Sequence, residues 1–130
     1  MNVHQPFSDL SAPHLSVGMH PWHIKEPSLS EDWKRMQECL IDHHVLAIGE
    51  CGLDRLYNTP WQLQRKVFQK QISMADEFQL PMLIHCVRAQ DEVLAELKQS
   101  DIPFVFHGFN GKVSRGIKIV EAGGYIGLSA

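Results

Sequence analysis

A chain of 130 residues, 44% hydrophobic and 21% charged, has the size and balance of one globular domain with a real core. Its 12 Lys and Arg against 15 Asp and Glu leave a formal charge of −3, which excludes a global basic field for nucleic acid. No apolar run approaches the roughly 20 residues that cross a bilayer, and no signal-peptide pattern opens the chain.

In chain order, residues 14–20 form a weak first strand candidate. Ser28 and Glu31 have capping-box spacing, and Trp33, Met36, Leu40 and Ile41 follow as one helix face. Residues 45–50 form a stronger strand candidate. Thr59 then reads as an N-cap and Pro60 as the first helical residue, with Phe68, Ile72 and Ala75 as the buried stripe of a helix to about Phe78. Residues 81–86 form the next strand, and Ala89, Val93, Leu94 and Leu97 mark a third helix. Residues 103–107 and 124–129 are strands, separated by a helix on Ile117 and Val120 that Gly123-Gly124 ends. Near-continuous apolar runs suit parallel strands covered on both faces. Strands alternating with helices predict βαβ units, whose right-handed crossovers bring every strand C-terminus to one face.

The first four strand candidates end on His20, Glu50, His85 and His107. One such histidine is commonly structural. A carboxylate and three imidazoles at equivalent strand ends point to a bound cation, because burying that many polar groups is costly without a partner. Period-two alternation puts Ile48 and Leu46 under Glu50, Leu83 under His85 and Val105 under His107. Mixed imidazole and carboxylate ligands suit a transition metal better than calcium. Asp54 either supports a ligand from behind or is a turn residue, with the structural role the simpler one, and the His43-His44 pair reads as solvated at a helix end. Lys112 and Arg115 open the last helix and are candidates for holding phosphate; an exposed basic face is the plain alternative. Trp22 and Trp61 could stack on bases, although packing is the simpler role. Cys39, Cys51 and Cys86 are odd in number and lack CxxC spacing, so reduced thiols in a cytoplasmic protein are expected.

The string Ala47-Ile48-Gly49-Glu50-Cys51-Gly52-Leu53-Asp54 resembles the A-I-G-E-x-G-L-D signature of TatD-type deoxyribonucleases, a family of metal-dependent hydrolases. Gly18-Met19-His20-Pro21 resembles its G-x-H-P motif, and Gln64, Phe68 and Gln71 its Q-x-x-x-F-x-x-Q helix. Leu80-Pro81 through His85, His107 through Gly111, and Tyr125-Ile126-Gly127 follow in the family's order. The resemblance implies a (βα)8 TIM-type barrel with two divalent metals, such as magnesium, manganese or zinc. It makes Glu50 the catalytic, bridging carboxylate and His85 and His107 the remaining ligands of one metal. His20 and His23 fall at the mouth as substrate-binding candidates. The implied substrate is DNA or another phosphodiester, cut as by a 3′-exonuclease.

The chain departs from that pattern at three points. The opening H-x-H pair is missing, since the first 16 residues hold only the isolated His4 and His14. The family's E-T-D segment would lie beyond Ala130. Arg88 is offset by one position from the family's arginine. A complete barrel takes roughly 250 residues. The expectation is therefore an α/β chain forming one incomplete barrel domain over residues 1–130, with about five parallel strands and intervening helices. Open edges would favour self-association. A catalytically inactive relative binding one metal, or an amidase-type barrel hydrolase, are the alternatives.

Overall fold

The computed structural model of the protein describes residues 16–107 and 113–127, with the side chains of 113–115 and 118 outside the description. Five strands, β1 (Ser16–Val17), β2 (Ala47–Asp54), β3 (Met82–Val87), β4 (Phe104–Phe106) and β5 (Tyr125–Ile126), form one sheet in the order β1-β2-β3-β4-β5. Every neighbouring pair is parallel. The helices are α1 (Leu29–Asp42), α2 (Trp61–Phe78), α3 (Gln90–Leu97) and α4 (Val113–Glu121), one in each crossover. This is the expected partial barrel: successive βα units with spatial order equal to chain order.

Register sorts the sheet into two faces. Val17, Ile48, Met82 and Phe104 align across four strands and are all buried, as are Ile84 and Phe106 one layer on. Helix residues Met36, Val67, Phe68, Val93 and Ile119 belong to the same core cluster. The other face carries Leu83, Val105 and Tyr125 in one aligned row. Leu83 and Val105 are only half-buried and Tyr125 is 62% exposed. In a closed barrel such a row fills the interior. Among the described residues, β1 and β5 each have one neighbour in the sheet.

Local sequence explains the helices, with four corrections. Ser28 is the residue before α1 but makes no cap bond to a helix amide. Its hydroxyl instead meets the Lys25 carbonyl at 3.2 Å and Asp32 Oδ2 at 3.1 Å. Ile41, expected on the buried face of α1, is 65% exposed; Cys39 takes its place in the core. Thr59 does not cap α2, because its hydroxyl donates to the Pro21 carbonyl at 2.8 Å and Pro60 becomes the cap residue. The helix runs to Phe78 as expected. Among the described side chains of α4, Gly116 and Ile119 are buried, whereas Ile117 and Val120 are 50% and 58% exposed.

Strand β2 holds the feature that shapes the site. Its pairing with β3 shifts between Gly49 and Cys51, leaving Glu50 as an extra residue in a bulge. Gly49 aligns with Leu83, Cys51 with Ile84 and Gly52 with His85. The bulge breaks the period of two, so Ile48 lies on the helix-facing side with Met82 rather than beneath Glu50, and Leu46 is 51% exposed before the strand. Leu83 does lie below His85, and Val105 below His107. At Gly52 the two strands approach so closely that a β-carbon would sit 1.9 Å from the His85 carbonyl oxygen. Only glycine fits there.

Candidate metal centre

Glu50 leaves the bulge half-buried between two imidazoles. Its Oε1 lies 3.9 Å from His85 Nδ1, and its Oε2 lies 3.3 Å from His107 Nδ1. The sheet explains this meeting, with one correction: Glu50 and His85 lie within β2 and β3 rather than at their ends, and only His107 follows its strand, the three strands being adjacent. β2 and β3 run a few residues past Glu50 and His85, while His107 directly follows β4. His20 follows β1 and presents a ring 4.3 Å from the His85 ring. His20, Glu50 and His85 each place one ligand-type atom within 4.8 Å of the others.

The protonation pattern separates these histidines. His85 Nε2 is 2.9 Å from Asp54 Oδ2. A carboxylate only accepts, so that nitrogen carries the proton and Nδ1 keeps its lone pair toward Glu50. His20 is arranged the other way. Its Nδ1 accepts from the Trp22 amide at 3.1 Å, which leaves Nε2 as the N–H of the neutral ring. Burial, then the neighbouring His85, brings the His20 pKa down to about 4. His20 is therefore a neutral ring with its N–H on Nε2.

Asp54 is a member of the site, standing behind His85 rather than serving only as the simpler turn residue. It is 3% exposed. Its Oδ2 accepts from Trp22 Nε1 at 2.7 Å as well as meeting His85, and its Oδ1 accepts from the Leu56 amide at 2.9 Å. Burial alone would raise its pKa; the hydrogen bonds from His85, Trp22 and Leu56 outweigh it and hold the carboxyl below its ordinary value. Sequence pattern could not find these contacts, which join residues 31 and 32 positions apart.

Two glutamines of α2 hold the strand ends. Gln64 accepts from the Asp54 amide at 2.8 Å and donates to the Asp54 and Thr59 carbonyls. Gln71 accepts from the Met19 amide at 2.8 Å and donates to the Met19 carbonyl. Both side chains are buried. The spacing of seven puts them on one helix face, two turns apart. The site thus rests on a helix that grips the segments carrying His20 and Asp54.

The other candidates fall as follows. His23 is exposed, with its ring centroid 5.7 Å from that of His20. Lys112 and the Arg115 side chain lie outside the described residues, and so do His4 and His14. Arg88 is exposed just after β3. His43 and His44 are exposed, Cys51 is buried, and all three cysteines are free thiols. Trp61 packs against the core under the Arg55 guanidinium, 4.2 Å from the ring centroid.

The donor set fits a divalent cation. Two donors bonded at about 2.0–2.2 Å to one ion stand no more than about 4.4 Å apart. The two Glu50–histidine separations, 3.9 and 3.3 Å, each meet this limit, but through different carboxylate oxygens. Among the described residues, the group with one donor atom each in mutual reach is His20, Glu50 and His85 rather than the expected Glu50, His85 and His107. Residues 9–130 match the family described as TatD related DNase. The chain belongs to that family. A 3′-5′ ssDNA/RNA exonuclease TatD of Salmonella typhimurium is 33% identical, over 98% of this chain and 53% of its own length. An uncharacterized metal-dependent hydrolase, YjjV of Escherichia coli, is 29% identical over 88% of this chain and 46% of its own length. The crystal structure of that TatD homologue superposes with a TM-score of 0.74 at 28% identity, covering 87% of this chain and 45% of its own. This chain thus spans about half the length of the relatives it matches. Among the described residues, no helix is long and apolar enough to cross a membrane.

Proposed function

We propose that this chain carries the Glu50–His85–His107 metal site of a TatD-type phosphodiesterase, acting on DNA or a related single-stranded polynucleotide from its 3′ end. The observation that carries the reading is the placement of Glu50, with one oxygen toward each imidazole and Asp54 fixing His85 from behind. Glu50, His85 and His107 would hold the ion, with magnesium, manganese or zinc all suited to the donors. A bound divalent ion supplies a nucleophilic water at neutral pH and positive charge for the phosphoryl oxygens. The complete family site holds two such ions; these three side chains account for one.

The chain's own residues have separable tasks. Glu50 brings negative charge and the geometry of the bulge. His85 keeps its free nitrogen toward the ion because Asp54 occupies the other. His20, neutral and with its N–H on Nε2, donates to a phosphate oxygen. His23, Lys112 and Arg115 are proposed to hold the strand's outer phosphates. Hydrolysis adds water to phosphorus and breaks one P–O ester bond, and the departing alkoxide leaves protonated.

The test is shortening of 3′-labelled or 5′-labelled single-stranded DNA by the purified chain with manganese or magnesium, beside Glu50→Ala. Metal-dependent shortening from the 3′ end by the wild type alone is expected. Equal turnover by both proteins would remove Glu50 from the reaction. We further propose a cytoplasmic setting, which suits three free thiols, and self-association through the sheet edges.

A further inference from the structure

The three tryptophans have different neighbours. Trp33 and Trp61 pack against the core, and each carries a cation over its ring, Lys70 at 4.5 Å and Arg55 at 4.2 Å. Trp22 stacks instead on Tyr57, with ring centroids 5.5 Å apart and planes 22° from parallel. Both rings stay open to solvent, at 44% and 42% exposure. They are also held in place. Trp22 Nε1 donates to Asp54 Oδ2 at 2.7 Å, and the Tyr57 amide donates to the Asp54 carbonyl. The Trp22 ring lies 4.8 Å from the His20 ring and 5.4 Å from the His85 ring.

An exposed aromatic ring, fixed in orientation beside a site for phosphate chemistry, has a specific use. Every nucleobase has a π face, and single-stranded nucleic acid is held by stacking on such rings. One face of Tyr57 is covered by Trp22, so its exposure is on the opposite face. A base laid there extends the stack, and its ordering cost is low because the Trp22 ring is already fixed through Nε1 and Tyr57 is already stacked on it. We infer that Trp22 and Tyr57 form a stacking platform for a nucleobase of the single strand whose phosphodiester reaches Glu50 and His85. The inference rests on the nuclease reading above for its ligand. Its geometric basis, the stacked and exposed pair, is independent of that reading.

The test compares two single strands of equal length and charge, one carrying 2-aminopurine as its 3′-terminal base and one abasic at its 3′ end. Each is titrated against the full chain, against Tyr57→Ala and against Tyr57→Phe. Binding is read by 2-aminopurine fluorescence and, for the abasic strand, by an end label. The wild type should prefer the base-bearing strand. Tyr57→Ala should lose on the order of tenfold in affinity for that strand alone, and Tyr57→Phe should keep the preference. Equal binding of the two strands by the wild type, binding of neither, or equal weakening of both by Tyr57→Ala overturns the platform. Incubating the same strands with manganese separates the two readings. A base preference without cleavage sinks the nuclease reading and leaves the platform standing; cleavage without a base preference does the reverse.

Discussion

An imidazole offers a cation only one of its nitrogens at a time, and Asp54 determines which one His85 offers. The carboxylate accepts a hydrogen bond from Nε2–H and is itself held by Trp22 and by the Leu56 amide. Replacing such a partner of a metal-ligating histidine costs about 10–100-fold in metal affinity. Asp54→Asn is therefore expected to weaken zinc or manganese binding by about that factor, read by calorimetric titration of the chain. Unchanged affinity would remove Asp54 from the centre. The sequence singled out Glu50, His85 and His107 because each closes an apolar run, and the fold brings Glu50 near both imidazoles. It offered Asp54 only as a supporting or turn residue, because its partners Trp22 and His85 are brought to it only by the folded sheet. His20 was legible as a residue of the site, but its tautomer was not, since that depends on the local turn that aims the Trp22 amide at Nδ1.

Among the elements, α2 does the most to position the centre. Gln64 and Gln71 match the family pattern in the sequence, but nothing in their spacing says what they bond. In the fold each replaces a strand partner for a backbone segment, satisfying amide and carbonyl together. Gln71→Leu has nearly the same volume and leaves the buried Met19 amide without its acceptor. A loss of about 1–3 kcal/mol is expected, read as a lower urea midpoint, and Gln64→Leu should behave alike through the Asp54 amide. A midpoint equal to wild type in both would show that these bonds do not hold the fold. All five strands were readable from their apolar runs, as was the end of α2 at Phe78. The errors came where a third party intervened. Thr59 is drawn away from its capping role by Pro21, and the bulge at Glu50 carries Ile48 to the opposite face. Period-two reasoning has no means of anticipating an inserted residue.

At the scale of the molecule, the sheet presents one finished face and one unfinished face. Helices cover Met82, Ile84, Phe104 and Phe106, whereas Leu83, Val105 and Tyr125 form a row with incomplete cover. Ile117 and Val120 add exposed apolar surface on α4. Surfaces of this kind drive association. Sedimentation velocity is expected to show larger species as concentration rises, and Tyr125→Glu to shift the distribution toward monomer. A monomer at all concentrations in the wild type would rule the open face out as an interface.

The adjacency of β2, β3 and β4 has one more consequence. Because Glu50, His85 and His107 sit on consecutive strands, one ion would staple three neighbouring strands by their ends. Such an ion binds only the folded chain, so by mass action it adds about 2.7 kcal/mol at a hundredfold excess over its dissociation constant. Zinc or manganese should therefore raise the melting temperature of the wild type by several degrees and leave that of Glu50→Ala where it was. The thermal shift would then report on the integrity of the centre without any substrate at all.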